Sequence, residues 1–135
     1  MKKLLTLVAA AFVAASVYAG EFPDISITEL KSAIAGKKVT VIDVNGTDSW
    51  KKGRIPGAID FGTTRAKLAQ VLPKDKNALV VAYCGGPTCM AYQQAAKAAK
   101  ELGYKNVKHL SAGISGWLQA GEKTDKGTEV KEKTI

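Results

Sequence analysis

The stretch Ala78-Leu79-Val80-Val81-Ala82-Tyr83-Cys84-Gly85-Gly86-Pro87-Thr88-Cys89-Met90 decides how this chain folds. Its first six residues form an apolar run that predicts a buried strand, and the Gly-Gly-Pro sequence after Cys84 predicts a tight loop. Residues 90–102 are rich in alanine and predict a helix. Cys84 is expected to face loop amides and the positive end of that helix, which would stabilise its thiolate. We therefore predict that Cys84 is a nucleophile.

Helices and strands alternate on both sides of this stretch. Ser26 and Glu29 have the spacing of a capping box, which predicts a first helix. Residues 39–44 are β-branched and predict a buried strand that ends near Asp43. A last strand is expected at 106–110 and a last helix at 114–118. This order predicts an α/β fold with a mainly parallel sheet covered by helices on both faces, and ligands of such sheets bind beyond the carboxyl ends of the strands.

The two ends of the chain differ from its middle in composition. Residues 1–19 have the pattern of a secretory signal peptide, because Lys2 and Lys3 precede an apolar run that ends close to Ala19. The run is shorter than the ~20 residues that span a bilayer, so we expect cleavage, no stable membrane insertion, and a periplasmic or secreted protein. The domain is expected at 20–121, and the polar tail at 122–135 is expected to fray.

Charge and histidine content exclude two classes of site. The net charge is +8, but the basic residues are scattered and lack the arginine clusters and interleaved aromatic residues of a nucleic-acid surface. His109 is the one histidine of the chain, so the sequence offers no set of histidine ligands for a metal. We expect neither nucleic-acid binding nor a metal site. Trp50 and Trp117 are expected in the core, since large aromatic residues dominate small cores.

Cys84 and Cys89 are the only cysteines of the chain. A disulfide across so small a ring would remove little chain entropy, which favours a chemical role over a structural one. Three interpretations of Cys89 remain open: it has a redox role, in which it resolves a persulfide on Cys84 or makes the domain a thiol-disulfide partner; it packs as an inert thiol; or it forms a structural disulfide.

Three segments of the chain carry motifs in a fixed order. They are residues 41–44 (Val-Ile-Asp-Val) with 53–58 (Gly-Arg-Ile-Pro-Gly-Ala), residues 80–84 (Val-Val-Ala-Tyr-Cys), and residues 102–104 (Leu-Gly-Tyr) with Gly113, Ile114 and Trp117. Together they resemble the rhodanese-like (sulfurtransferase) family, whose patterns are Ile-Asp-Val-Arg with Gly-His-Ile-Pro-Gly-Ala, an active-site strand ending in cysteine, and Leu-Gly-Tyr…Gly-Gly-Ile…Trp.

The resemblance implies a three-layer α/β fold with a central, mainly parallel five-stranded sheet. It implies that Cys84 carries sulfane sulfur as a persulfide, taken from polysulfide or thiosulfate and passed to a thiol of a small molecule or a protein, or to cyanide. The loop backbone would cradle the anions; its residues are Gly85, Gly86, Pro87, Thr88, Cys89 and Met90. No metal or organic cofactor is required. Asp43 is expected to brace the loops by hydrogen bonds.

The chain departs from the family pattern at several positions. Residues 85–90 contain no arginine, which argues against the branch of phosphatases and arsenate reductases with a Cys-x5-Arg loop and favours polysulfide over thiosulfate. Arg54 replaces the family histidine and is expected to brace the Ile-Pro-Gly turn, and Asn45 replaces the family arginine. The alternative functions are a non-enzymatic rhodanese-like module for binding or sulfur delivery, and a thiol-disulfide redox protein that uses Cys84 and Cys89.

Overall fold

The computed structural model describes residues 22–128. The predicted signal peptide lies outside this range. Within it, helices and strands alternate as the sequence predicts. In chain order they are α1 (Ile27–Ala35), β1 (Val39–Asp43), α2 (Thr47–Lys52), β2 (Ile59–Asp60), α3 (Phe61–Thr64), a 3₁₀ turn (Arg65–Lys67), α4 (Leu68–Val71), β3 (Leu79–Tyr83), α5 (Tyr92–Glu101), β4 (Val107–His109) and α6 (Gly113–Gln119).

The strands form a parallel sheet in the order β2-β1-β3-β4. The predicted α/β fold with a parallel sheet is confirmed, but the sheet has four strands and not the five expected. Asp24 forms a single parallel bridge with His109 at the edge where a fifth strand would lie. That segment does not extend further because Pro23 has no N–H to donate, and because Ser26 already caps α1.

The two faces of the sheet carry separate apolar layers, so the molecule has three layers. Side chains of a strand alternate between the faces. Val80 and Ala82 of β3 pack on the face that α4 and α5 cover, whereas Val81 and Tyr83 pack on the face that α1 and α6 cover. Within residues 22–128, no helix is both long and apolar enough to cross a membrane.

Residues 122–128 lie against α2 and the turn that follows it. The backbones of Arg54 and Asp125 exchange two hydrogen bonds of 3.0 and 2.9 Å, and the Gly127 N–H donates to the Lys51 carbonyl at 2.8 Å. The expectation that the chain frays beyond Gly121 is therefore wrong for residues 122–128. A polar composition predicts fraying because the segment buries little apolar surface, but backbone hydrogen bonds to another segment hold it in place.

Candidate active site

Cys84 follows the last residue of β3, and only 1% of its surface is exposed. Its backbone carbonyl accepts a hydrogen bond of 3.0 Å from the N–H of Ile114, in the first turn of α6. Strand β3 and helix α6 thus fix the Cys84 backbone from two sides. As the sequence predicts, the residue lies at the carboxyl edge of the sheet.

The loop after Cys84 has backbone amides without partners. Its Cys89 N–H donates to the Gly86 carbonyl at 3.1 Å, and the Gly85 carbonyl accepts from the Ser115 N–H at 3.0 Å. The remaining loop amides donate to no protein acceptor within residues 22–128; they belong to Gly85, Gly86, Thr88 and Met90. Free backbone amides are suited to hold an anion. The predicted cradle residues all lie in this loop, in which Pro87, Thr88 and Met90 are exposed.

Cys84 and Cys89 form a disulfide, with their Cα atoms 6.2 Å apart. Neither cysteine is free, so the interpretation of Cys89 as an inert unpaired thiol is wrong for this structure. Cys89 is partly buried beside the core, and Cys84 is almost fully buried. A cysteine acts as a nucleophile only as a thiolate, so Cys84 could do so only after this disulfide is reduced.

Asp43 lies at the end of β1, beside Tyr83 at the end of β3. Its carboxylate accepts a hydrogen bond of 2.5 Å from the Tyr83 hydroxyl and one of 2.7 Å from the Asn45 N–H. The Tyr83 hydroxyl in turn accepts from the Ile55 N–H at 3.1 Å. These bonds tie three segments together next to Cys84: the end of β1, the end of β3 and the turn after α2.

Burial governs the ionisation of this network. Desolvation is the largest cause that raises the pKa of Asp43, while the Tyr83 hydroxyl and the Asn45 amide oppose it. Burial, and then the Asp43 charge, raise the pKa of Tyr83 above its ordinary value. Because the carboxyl binds its proton more tightly in the folded state, its ionisation subtracts from stability as the pH rises through its folded pKa. Asp43 is placed to brace the strand ends, and its hydrogen bonds are used within the fold.

Arg54 is 2% exposed, and its guanidinium lies over the Trp50 ring, 3.6 Å from the ring centre. Its Nη1 donates to the Trp50 carbonyl at 3.2 Å and to the Gly127 carbonyl at 2.7 Å. These two hydrogen bonds join α2 to residues 122–128. They hold the tail and do not reach the Cys84 loop. The sequence could not indicate the bond to the tail, since the Gly127 carbonyl is a main-chain group 73 residues away.

The other aromatic and histidine side chains lie in the core. Trp50 and Trp117 are 6% and 2% exposed, which confirms their predicted burial. His109 stacks on Tyr92 with ring centres 3.3 Å apart, and burial lowers its pKa while the nearby Asp24 carboxylate opposes the shift. The described residues contain no group of three or more histidine, cysteine, aspartate or glutamate side chains that could hold a metal.

Gly113, which the sequence shows only as part of a motif, supports the loop. Its φ is +61°, in the left-handed region that favours glycine. A Cβ at Gly113 would lie 2.6 Å from backbone atoms of Gly85 and Gly86 and 2.7 Å from the Cys84 carbonyl oxygen. The absence of a side chain therefore lets α6 approach the loop closely. In the sequence, only the position of Gly113 in the Gly-Ile…Trp motif indicates that a glycine is needed there.

Known proteins resemble this chain in sequence and in fold. The model of the family described as Rhodanese-like domain matches residues 26–120. The chain is 33% identical over 123 residues to the HTH-type transcriptional regulator Rv0324 of Mycobacterium tuberculosis; the match covers 89% of this chain and 52% of the regulator, so the chain spans about half the length of that relative. It is 29% identical over 102 residues to the thiosulfate sulfurtransferase GlpE of Shewanella oneidensis, covering 73% of this chain and 95% of GlpE. The solved structure of the BH2092 protein from Bacillus halodurans superposes with a TM-score of 0.66 at 25% identity, over 78% of this chain and 77% of that one.

Proposed function

The chain belongs to the rhodanese-like domain family, and on that premise we propose that it transfers sulfane sulfur through a persulfide on Cys84. The observation that carries this proposal is the position of Cys84, directly after β3 and before a loop with unpartnered amides. Such amides would stabilise an anionic persulfide without any charged side chain. The relative GlpE, which is 29% identical, is a thiosulfate sulfurtransferase by name, and this similarity supports the same class of reaction.

The proposed transfer has two steps. First, the Cys84 thiolate attacks a terminal sulfur of a polysulfide; one S–S bond of the donor breaks, an S–S bond to Cys84 forms, and the shortened polysulfide leaves with the electron pair. Second, an acceptor thiolate attacks the outer sulfur of the persulfide, and Cys84 leaves as a thiolate. Dividing the transfer in this way replaces one difficult step by two easier ones.

Polysulfide is the donor that we favour over thiosulfate. Residues 85–90 carry no cationic side chain, whereas the sulfonate group of thiosulfate would benefit from a guanidinium. Polysulfide is polarisable, and its charge is compatible with backbone amides alone. A thiol of a small molecule or a protein completes the proposed reaction.

Intact-mass analysis of the reduced protein tests this proposal. After exposure to polysulfide and removal of the excess, we expect a mass increase of one sulfur atom, about 32 Da, that alkylation of Cys84 beforehand prevents. Thiosulfate should load the protein more slowly. If neither donor adds sulfur to the folded protein nor converts its two thiols to the disulfide, a mass loss of about 2 Da, the enzymatic proposal fails and a non-enzymatic rhodanese-like module is favoured.

The disulfide favours a second candidate function, in which Cys84 and Cys89 form a reversible redox pair. The Cys89 thiolate would attack the Sγ atom of a Cys84 persulfide, the S–S bond of the persulfide would break, a bond between the two Sγ atoms would form, and the outer sulfur would leave as sulfide with the electron pair. The product is the observed disulfide. A compartment outside the cytoplasm, which the N-terminal sequence predicts, would preserve it.

Replacement of Cys89 distinguishes the two candidates. If Cys89 resolves the persulfide, Cys89→Ser should lengthen the lifetime of the Cys84 persulfide by at least about tenfold, because no second thiolate is within reach. The lifetime and the released sulfide are measured together by intact mass and a sulfide assay. Thr88→Ser, a change in the same loop, is the control and should decay like the wild type. A stable wild-type persulfide beside a Cys89 that reacts with an alkylating agent would contradict the redox role.

A further inference from the structure

A groove of about 440 Å³ opens beside the Cys84 loop. Its walls come from four parts of the chain: the residues after β1, helix α2, helix α6 and the docked tail. The lining residues that matter here are Asn45, Lys52, Ile114, Leu118, Thr124 and Lys126. None of them was a candidate for substrate binding from the sequence.

Two residues that line the groove lie next to the loop that follows Cys84. Ile114 lines the groove, and its N–H donates to the Cys84 carbonyl at 3.0 Å. On the other side, the Asn45 side-chain oxygen lies 3.9 Å from the position that a Cβ on Gly85 would take. A molecule in the groove would therefore contact two residues, Ile114 and Asn45, that are neighbours of Cys84 and Gly85.

The charge of the groove has one sign. Among residues 22–128, Lys52 and Lys126 are the only charged residues that line it, and both are exposed. Neither has an acidic partner within residues 22–128. The nearby Asp125 carboxylate accepts a hydrogen bond from the Gly57 N–H at 3.1 Å and is not part of the lining. Two lysines without carboxylate partners make this groove attractive to an anion.

The same groove also has an apolar side and a wall formed by the tail. Leu118 is 57% exposed and lies one helical turn after Ile114. Thr124 and Lys126 belong to the tail, which Arg54 holds through its hydrogen bond to Gly127 and its backbone pairing with Asp125. The groove thus depends on residues 122–128 being docked. A small organic anion with some apolar surface fits these walls.

We propose that this groove binds the sulfur acceptor, a low-molecular-weight thiol that carries carboxylate groups. The inference rests on the proposed function, since it assigns a ligand to the second step of transfer. The carboxylates pair with Lys52 and Lys126, the carbon chain contacts Leu118 and Ile114, and the thiolate attacks the outer sulfur of the Cys84 persulfide. The acceptor leaves as a persulfide, and Cys84 returns to its thiolate.

The first arm of the test measures discharge of the persulfide. Variants are built on Cys89→Ser, so that only an added thiol removes the sulfur. We expect Lys52→Glu/Lys126→Glu to lower the rate constant for the anionic thiol glutathione by about tenfold or more, and to change that for neutral 2-mercaptoethanol less than about twofold. Lys74→Glu/Lys105→Glu reverses two exposed charges outside the groove lining and should leave both rates near those of the parent.

The second arm measures binding without sulfur chemistry. S-methylglutathione cannot accept sulfur, and in the unmodified protein it should shift the amide NMR signals of Ser49, Gly53 and Thr124, which line the groove. Lys52→Glu/Lys126→Glu should abolish these shifts. If no persulfide forms at all, the proposed function fails, and the binding experiment alone then shows whether the groove binds an anionic thiol. The inference is overturned if S-methylglutathione causes no shifts in the parent protein. It is also overturned if glutathione discharges the persulfide at equal rates in the parent and in Lys52→Glu/Lys126→Glu.

Discussion

Cys84→Ser is expected to reduce sulfur transfer by at least about a thousandfold, because a serine hydroxyl cannot form the persulfide that divides the reaction into two steps. The reduced protein is loaded with polysulfide, freed from excess donor and treated with cyanide, and the thiocyanate released is measured. Serine is close to cysteine in size, and the site is almost fully buried with its backbone held by Ile114, so the fold should persist.

Cys89→Ser provides the matched control for that experiment. Both variants lose the same cross-link, which in the chain-entropy model stabilises the oxidised protein by about 2 kcal/mol for so short a loop. Their melting temperatures should therefore be similar, while only Cys84→Ser loses transfer. Transfer at the wild-type rate in folded Cys84→Ser, with every donor tried, would show that Cys84 is not the nucleophile.

Gly113→Ala is expected to destabilise the domain by roughly 3 kcal/mol, from left-handed strain and overlap with the loop backbone. The added Cβ would meet Gly85 and Gly86 at 2.6 Å, and backbone atoms cannot rotate away as a side chain can. Helix α6 must then shift, which breaks the bonds from Ile114 and Ser115 to the loop carbonyls. We expect the melting temperature to fall by more than about 10 °C, and the folded protein to load sulfur more slowly.

Gly121→Ala separates the two causes of that effect. Gly121 has a φ of +73°, but no atom lies within 4 Å of a Cβ placed there. This variant should lose only the roughly 1 kcal/mol of left-handed strain and should load sulfur at the wild-type rate. Equal stability and equal loading rates in the two alanine variants would show that close approach of α6 does not shape the loop.

Arg54 links the tail to the groove that we assign to the acceptor. Its guanidinium bonds a carbonyl of α2 and a carbonyl of the tail, and it lies over the Trp50 ring. A planar, permanently charged group is suited to bond two carbonyls while stacking on an aromatic ring. The replacement of the family histidine by arginine thus has a structural consequence at the groove wall.

The sequence by itself determined the fold class and the position of Cys84, because both depend on local patterns. A short apolar run bounded by turn residues predicts a buried strand, Gly-Gly-Pro ends it, and the capping box of Ser26 and Glu29 forms between residues three apart. The order of these elements then restricts the sheet to parallel pairing and places Cys84 at its carboxyl edge.

Only the tertiary structure decided the pairing of Cys84 with Cys89, the docking of residues 122–128 and the need for glycine at Gly113. The sequence left the cysteine pair open, since spacing alone does not give the path of a loop. Residues 122–128 were expected to fray because backbone hydrogen bonds between distant segments leave no trace in composition. The number of five strands came from the family resemblance, and the segment at Asp24 forms only a single bridge. The sequence does not indicate the groove either, because its walls come from parts of the chain that only folding brings together.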